Sequence, residues 1–346
     1  MLVDALSVAV LALVIAAGWW VIDNILPSQI VVSVLGHRVH IGESGSIVLP
    51  MAMVGLCAIP GVLLLELAVV GWRASSLRIL VSLRTRSSQA DIGYSLLQQF
   101  HVLGILGDVL TVGVSIISGA WLNHKLRDIL GLDLSLRYFP LAVQYAGFYV
   151  LFGFFQYWSH RVQHHGWFWK LHRTHHSADE FCVLTSDRVH PAENYARLIN
   201  TALPLAFFGA PAAVVVGVKL FERASQYVRH SQLNWDFGWV GRYLVQSPAH
   251  HRLHHQLDAG DGHGNYGVMP LWDHVFGTWR EAPAQARVIG VNHPYRHGLW
   301  IFSDLWRDYR DFWAEAALGF GPILRPKGAK PAPAVAQTAP APAPNV

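Results

Sequence analysis

Histidine is the residue whose number and spacing in this sequence most clearly indicate chemistry. The chain has 20 histidines, and 14 of them lie between His160 and His274. Eight form three clusters, which are His160 and His164 in HRVQH, His172, His175 and His176 in HRTHH, and His251, His254 and His255 in HRLHH. Residues three and four apart share one face of a helix, so each cluster can direct its rings to one point. The repeated spacing therefore predicts a metal site.

The identity of the metal is indicated by the type and number of these candidate ligands. Imidazole suits iron, copper, zinc and nickel. A catalytic zinc uses about three protein ligands, so eight clustered histidines fit two metal ions, each with an open position. The zinc-protease motif HExxH is absent from the sequence. A b-type haem would need histidines inside an apolar helix bundle, whereas these clusters lie outside the apolar segments. The donor set best fits two iron ions that react with O2.

The overall composition indicates that lipid is part of the solvent. Of the 346 residues, 52% are hydrophobic and 14% are charged, against about 25% charged in soluble domains. The net charge is only +4 and the basic residues are scattered, which excludes nucleic acid as a partner. The two cysteines, Cys57 and Cys182, are far apart, so no disulfide framework is expected. We therefore expect an integral, multi-pass membrane protein.

Four apolar segments are candidates for crossing about 30 Å of hydrocarbon. They cover residues 2–22, 46–71, 100–122 and 138–158. A cleaved signal peptide is the alternative for the first, but no basic region precedes it and no small-residue cleavage site follows it. The loop at 73–98 is rich in arginine, which places it in the cytoplasm. The end of the fourth segment, and the histidine clusters after it, are then expected to face the cytoplasm too.

The segment 196–229 is apolar but interrupted. As a single helix it would be about 51 Å long, which is too long for one straight crossing and too short for two. Pro204, Gly209 and Pro211 fall in its middle, where proline breaks a helix. The pattern predicts two half-helices that enter the membrane and return to the same side, covered by the other spans.

The predicted fold class is an all-α membrane protein, a transmembrane helical bundle with a cytosolic, histidine-rich, metal-binding cap. The expected divisions are 1–137 for the N-terminal transmembrane helices, 138–282 for the catalytic domain, 283–325 for a C-terminal helix region and 326–346 for a disordered Pro/Ala-rich tail. Aromatic and charged residues alternate at 300–313, which predicts either a helix in the membrane interface or an ordinary packed helix.

In the order and spacing of its motifs, the chain resembles the fatty acid hydroxylase superfamily, which includes sterol desaturases, sterol methyl oxidases and alkylglycerol monooxygenases. The resemblance covers about residues 140–282 and rests on HRVQH, HRTHHS, RVHPAE, the histidine of VRHSQLN, SPAHHRLHH and NYGVMPLWDHVFGTW. It implies a di-iron centre, use of O2 and a lipid substrate. It also implies electrons from a separate protein, such as a ferredoxin or a b-type cytochrome with its reductase.

The resemblance adds one residue to the candidate ligands. It implies nine, which are His160, His164, His172, His175, His176, His230, His251, His254 and His255. Some members have another histidine four residues before the one that matches His230, and this chain has Gln226 there. The WDR motif that is common in the family reads WDH here, with His274 in the third position.

Several neighbours of the clusters are candidates for supporting the ligands. His165 and His250 each adjoin a candidate ligand and would point about 100° away from it on a helix, in a supporting or structural role. Arg188, His190 and Glu193 lie in RVHPAE, where they either orient ligands through hydrogen bonds or simply form a turn.

The remaining candidates lie after the third cluster. Asn265 begins an Asn-Tyr-Gly turn, which the resemblance implies closes the cap near the site, and Asp273 is expected to help hold that cap. The other histidines of this region, His263, His293 and His297, are expected to be solvated.

The function that these observations predict is O2-dependent hydroxylation or desaturation of a lipid C–H bond by a di-iron oxidoreductase. One alternative is a membrane zinc-dependent lipid hydrolase. Another is a metal transporter or sensor without enzymatic activity, which would need a polar path within the spans. The segment 138–158 offers only Gln144, Gln156 and tyrosines for such a path.

Overall fold

The computed structural model describes residues 29–34, 37–83, 85–111, 122, 125, 126, 128, 129, 131, 135–257, 264–281, 288–298 and 301–324. The predicted first span at 2–22, the tail at 326–346 and His263 lie outside these residues. Ten residues of the predicted third span, 112–121, lie outside them as well.

The described residues are mostly helical, as predicted, but they begin with a hairpin. Strands β1 (Gln29–Val34) and β2 (His37–Glu43) pair antiparallel. This short hairpin is a local exception to the all-α fold, and β-branched residues such as Val31, Val32 and Val39 favour its pleated conformation.

Eleven longer helices in the described part follow the hairpin. They are α1 (Ser44–Val69), α2 (Arg86–Gln99), α3 (Val102–Leu110), α4 (Leu141–Gln163), α5 (Trp169–His176), α6 (Leu203–Phe208), α7 (Ala212–Arg229), α8 (Gly238–Tyr243), α9 (Pro248–His254), α10 (Leu271–Val275) and α11 (Ile301–Leu324). Short α-helical turns cover Ser76–Arg78 and Tyr195–Arg197, and π-helical turns cover Ile79–Leu83 and Leu198–Ala202. Short 3-10 turns cover Trp72–Ala74, Leu136–Tyr138, Gly166–Phe168, Val183–Asp187 and Pro191–Asn194.

The predicted spans 46–71 and 138–158 correspond in position to α1 and α4. Among the helices of the described residues, none has both the length and the apolar composition required to cross a membrane.

Helix α4 connects the apolar core to the histidine-rich region. Phe148 and Phe152 are buried on it and pack with Val214 and Val218 of α7. Burying a side chain of this size contributes about 1.5–3 kcal/mol, so this contact fixes α4 against α7. The buried side of α4 then continues to His160, two turns beyond Phe152. The packing of the core therefore sets the position of the first histidine cluster.

The interrupted segment folds back on itself, as the proline and glycine positions predict. Helix α6 ends at Gly209, whose φ of 38° suits a residue without a side chain. The Gly209 carbonyl accepts a hydrogen bond from the Leu136 backbone N–H at 2.9 Å, near the N-terminal end of α4. Helix α7 then returns, and His230 caps its C-terminal end. The two arms therefore begin and end at the histidine-rich end of α4.

Helix α11 packs on one side and is exposed on the other. Its Asp308 is fully buried and accepts a hydrogen bond from Arg173 Nη2 of α5 at 2.7 Å. The opposite face exposes Phe302, Trp306 and Trp313. The helix is therefore packed, as one of the two predicted alternatives has it, and it also has an aromatic face that the described residues leave exposed.

Candidate metal centre

All nine candidate ligands come together in the structure, in two groups. The first contains His160, His164, His172, His176 and His254, and the second contains His175, His230, His251 and His255. Within each group, one ring nitrogen of every residue lies within 4.8 Å of the others. Eight of the rings are buried and His164 is half-buried. Two adjacent groups of this size match the predicted two-metal arrangement.

The spacing of the two HxxHH motifs explains how each contributes to both groups. In α5, the first and last rings, His172 and His176, join the first group, while His175 joins the second. At α9 the assignment is reversed. His251 and His255 join the second group, while His254 joins the first. Helix α4 adds an i, i+4 pair to the first group. The corresponding pair at the end of α7 is incomplete, because the residue four before His230 is glutamine.

Hydrogen bonds to the outer nitrogens orient five of the rings. The acceptors of these Nδ1–H groups are Tyr266 O for His160 (2.7 Å), Glu193 Oε2 for His172 (3.0 Å), Arg188 O for His175 (3.0 Å), Gln226 O for His230 (2.8 Å) and Gly264 O for His254 (2.8 Å). Four of these acceptors are carbonyls, which can only accept, so the proton is fixed on Nδ1. The lone pair is then on Nε2, which points inward, as in most histidine–metal sites.

The inward nitrogens are spaced as ligands of a common cation. His160 and His172 approach through their Nε2 atoms at 3.1 Å, and His230 and His251 do so at 3.0 Å. Two lone pairs at this distance repel unless a cation lies between them. A metal about 2.1 Å from each nitrogen would hold them about 3.0 Å apart at a right angle and about 3.4 Å apart in a tetrahedron. The donor set therefore fits a metal ion in each group.

Burial keeps the rings neutral, which metal binding requires. Removal from water, and then the neighbouring rings, hold the pKa of His164, His176 and His255 well below the usual value for histidine. The same two causes act on the pKa of His175 and His251.

The Asn-Tyr-Gly turn closes over the first group, where the resemblance had implied it. Asn265 has a φ of 57°, and its side chain donates to Arg280 O at 2.9 Å and accepts from Arg280 N at 2.8 Å. The Asp273 carboxylate accepts from the backbone N–H groups of Tyr266 (2.8 Å) and Gly267 (2.7 Å). These contacts fix the turn whose Gly264 and Tyr266 carbonyls orient two rings.

The RVHPAE motif supports the site through two of its three candidates. Glu193 Oε2 accepts from His172 Nδ1 and from Gln163 Nε2 at 2.7 Å, and burial raises the pKa of this carboxyl to about 7. Arg188 acts through its backbone carbonyl, and its buried guanidinium donates to Asp91 at 2.8 Å. His190 instead accepts from the Ala192 N–H and caps the turn that carries Glu193.

Four of the remaining histidine predictions need correction or narrowing. His165 is exposed at the end of α4, contrary to a supporting role. His250 contacts Ser247 Oγ at 2.7 Å and packs on Trp279, so its role is structural. The prediction that His297 is solvated is wrong, because it is buried and its Nδ1 lies 3.2 Å from Arg188 Nη1. His293 is only half-buried.

A cavity of about 260 Å³ adjoins both groups. It is bordered by the rings of His160, His172, His175, His230 and His251 and by residues of α4, α7 and the turns between them. Sequence reasoning missed the contribution of α7, which is a row of Lys219, Glu222, Gln226 and Arg229. The available signal was their spacing of three and four, which places polar residues on one face of an otherwise apolar hairpin arm.

Comparisons with known proteins agree with these motifs. The family model for fatty acid hydroxylase matches residues 145–278. Human alkylglycerol monooxygenase is 32% identical over 163 residues, which is 46% of this chain and 36% of that protein. A putative methylsterol monooxygenase from Dictyostelium discoideum is 26% identical over 137 residues, 38% of this chain and 48% of that protein. A very-long-chain aldehyde decarbonylase from Oryza sativa is 28% identical over 141 residues, 36% of this chain and 21% of that protein.

Each match covers less than half of this chain and less than half the length of the relative. No solved structure matches the chain significantly. The matched region contains all nine clustered rings and the turn that closes over them. The part of the chain from 145 to 278 therefore belongs to the fatty acid hydroxylase superfamily.

Proposed function

We propose that this chain is a membrane-bound, non-haem di-iron enzyme that uses O2 to oxidise a C–H bond of a lipid. The observation that carries the proposal is the pair of histidine groups, nine rings directed inward beside one cavity. The relatives named as monooxygenases support the reaction class. A site that only stores or senses metal would not need an adjoining cavity lined by the same rings.

The residues of the chain have defined tasks in this reaction. Bound irons would supply the activation of O2 and the removal of hydrogen from an unactivated C–H bond. The nine rings, in their neutral form, would hold the metals. Glu193 and the backbone carbonyls keep these rings oriented. The cavity positions the lipid and limits the access of water. Reduction of O2 needs electrons, which we assign to a separate donor protein, a ferredoxin or a b-type cytochrome with its reductase.

The location of the site follows from the same proposal. We place the histidine-rich end of α4 at the cytoplasmic surface, because the arginine-rich loop at 73–98 favours that side. The exposed aromatic face of α11 suits contact with the lipid interface. A lipid could then reach the cavity from the membrane without crossing water.

The reaction class can be tested by lipid mass spectrometry of cells with and without the gene. We expect one lipid class to gain one oxygen atom if the enzyme hydroxylates, or to lose two hydrogen atoms if it desaturates. Alkylglycerols are the first class to examine, since relatives from human and Caenorhabditis elegans carry the name alkylglycerol monooxygenase. Products of simple hydrolysis, formed without O2, would favour the zinc hydrolase instead.

The metal content provides a second, independent test. We expect close to two irons per chain when the protein is expressed with ample iron, because nine rings are more than one ion can use. Elemental analysis of active, purified protein measures this number directly. A reproducible single zinc per chain in active protein would contradict the di-iron assignment.

A further inference from the structure

Glu66 is the single charged residue of α1, and its side chain is fully buried. Its Oε2 accepts a hydrogen bond from the Ser76 backbone N–H at 2.6 Å, and its Oε1 accepts one from Ser76 Oγ at 2.9 Å. Oε1 also accepts from the backbone N–H of Gln232 at 2.5 Å, across 166 positions of sequence. A buried charge is costly unless donors surround it. The carboxylate therefore fixes the end of α1 to two other parts of the chain.

Gln232 belongs to the link 231–235, which joins the end of α7 to α9. The link begins directly after His230, and Arg252 Nη2 of α9 donates to its Ser231 carbonyl at 2.8 Å. The position of the link therefore affects how His230 lies relative to the rings of α9. The closest of these is His251, whose Nε2 is 3.0 Å from that of His230.

The side chain of Gln232 also holds one wall of the second group. Its Nε2 donates to the backbone carbonyl of Phe181. The Phe181 ring stacks on His230, with centroids 5.2 Å apart and planes 22° apart. It also meets His255 edge-on, at 5.1 Å between centroids. Gln232 thus keeps Phe181 against two of the four rings in this group.

Apolar packing brings α1 to this location. Val62, one turn before Glu66, packs with Val183 and with Tyr227, which lies on α7 three residues before His230. The packing sets α1 beside the end of α7, and the hydrogen bonds of Glu66 then fix the link. Glu66 lies outside residues 145–278, which the family model matches.

We infer that Glu66 is a positioning residue for the second histidine group. By fixing Gln232, its carboxylate holds His230 and Phe181 in the arrangement that lets four rings share one metal ion. The turn over the first group is held by a different carboxylate, that of Asp273. Loss of Glu66 should therefore weaken one metal site and not the other. The inference rests on the proposed function only in that the second group holds a metal ion.

The test is chelator competition on protein purified in detergent with its bound metal. Glu66→Leu removes every acceptor of this carboxylate. We expect one metal ion to be bound about tenfold or more weakly, in line with the roughly 10–100-fold effect of losing a partner outside the ligands. The other ion should be held as in the unmodified protein. Glu66→Gln should have a smaller effect, because its one amide oxygen replaces two carboxylate oxygens that each accept a backbone N–H.

Ring variants identify which metal ion is affected. In a His230→Ala protein, where the second group is already impaired, adding Glu66→Leu should change metal binding little further. In a His160→Ala protein, the same addition should weaken the ion that remains. Val62→Ala is the matched control, because it loosens the packing of α1 and leaves the carboxylate in place. It should lower the unfolding temperature and leave both metal ions bound as tightly as before.

Two results would overturn the inference. One is a folded Glu66→Leu protein that binds both metal ions as the unmodified protein does, and the other is equal weakening of both. If Glu66→Leu does not fold, Gln232→Leu decides in its place, since it removes the bond to Phe181 and keeps the backbone N–H. It should weaken the same ion, and unchanged binding would contradict the positioning role.

Metal binding and turnover separate this inference from the proposed function. If Glu66→Leu selectively weakens the second group but the unmodified protein does not consume O2, the proposed function fails and the positioning role stands. If O2-dependent turnover occurs and Glu66→Leu leaves both metal ions unaffected, the positioning role fails and the proposed function stands.

Discussion

His230 shows how a single residue can be decisive and yet inconspicuous in sequence. It stands alone, so no spacing identifies it, and only the family resemblance made it a candidate. In the structure it caps α7, its Nδ1 donates to Gln226 O, and its Nε2 lies 3.4 Å from that of His175. Its ring is one of only four in the second group.

Replacing His230 provides the sharpest test of the nine-ligand assignment. His230→Ala should lower the iron content and reduce turnover by more than the 10–100-fold that is typical for the loss of a residue that only supports a ligand. The matched control is His165→Ala, since His165 directly follows a clustered ring but is exposed. It should leave iron and activity unchanged. A folded His230→Ala protein with full iron and near-normal turnover would contradict the assignment.

Sequence patterns predict site residues whose arrangement is local, and they do not predict those whose contacts are with residues distant in sequence. The eight clustered rings follow from local helical spacing, which a sequence displays directly. The burial of His297 does not follow from local spacing, because this ring contacts Arg188, a residue 109 positions away. Lys219 and Asn200 were missed for the same reason: their shared cavity exists only after α7 and the turn at Leu198–Ala202 pack beside α4.

At the scale of elements, the best-predicted feature is the bent segment between the second and third histidine clusters. Pro204, Gly209 and Pro211 locate the bend, and the structure turns at Gly209. The prediction worked because proline and glycine act through local backbone geometry. The β1–β2 hairpin was missed because the region was interpreted by its composition, although strand pairing depends on register between two segments.

The bent segment should return to the side from which it starts, and chemical labelling can test this. Single cysteines at Tyr195 and at Gln232, placed in a background without Cys57 and Cys182, flank the two arms. Both should react with an impermeant thiol reagent from the cytoplasmic side, because Glu193 and His230 line the same cavity. A cysteine in the loop at 73–98 serves as the cytoplasmic control.

Labelling of the two cysteines from opposite sides would refute the bent arrangement in the membrane. It would also break the single-site assignment, since His230 could not then join the ring of His175.

At the scale of the whole molecule, the burial of so many histidines ties its stability to pH. The rings of His164, His175, His176, His230, His251 and His255 all have a pKa well below the usual value, first through burial and then through the other rings. In the unfolded chain, histidine titrates near about pH 6.5. Between these two values the unfolded chain binds more protons than the folded protein.

The sign of the pH dependence follows from this difference in proton binding. The contribution of these rings to the free energy of unfolding is fully present above about pH 6.5 and is lost as the pH falls below it. Glu193, whose pKa is raised to about 7, acts in the opposite direction, as do Asp91, Glu180 and Asp273, whose pKa burial also raises. The histidines with a lowered pKa are more numerous, since burial also lowers the pKa of His190, His250, His293 and His297. We therefore expect the unfolding temperature of the metal-free protein in detergent to fall steeply as the pH is lowered from about 6.5 to about 5.

Bound metal should make the unfolding temperature fall more steeply as the pH is lowered, because protons compete with metal for the same nitrogens. Unfolding temperatures and retained iron, measured across the same pH range, should then decline together in the metal-loaded protein. The His165→Ala variant is the control for the titration of exposed histidine and should follow the wild-type curve. A metal-free protein whose unfolding temperature stays level or rises as the pH falls below about 6.5 would show that these six rings are not buried together in their neutral form.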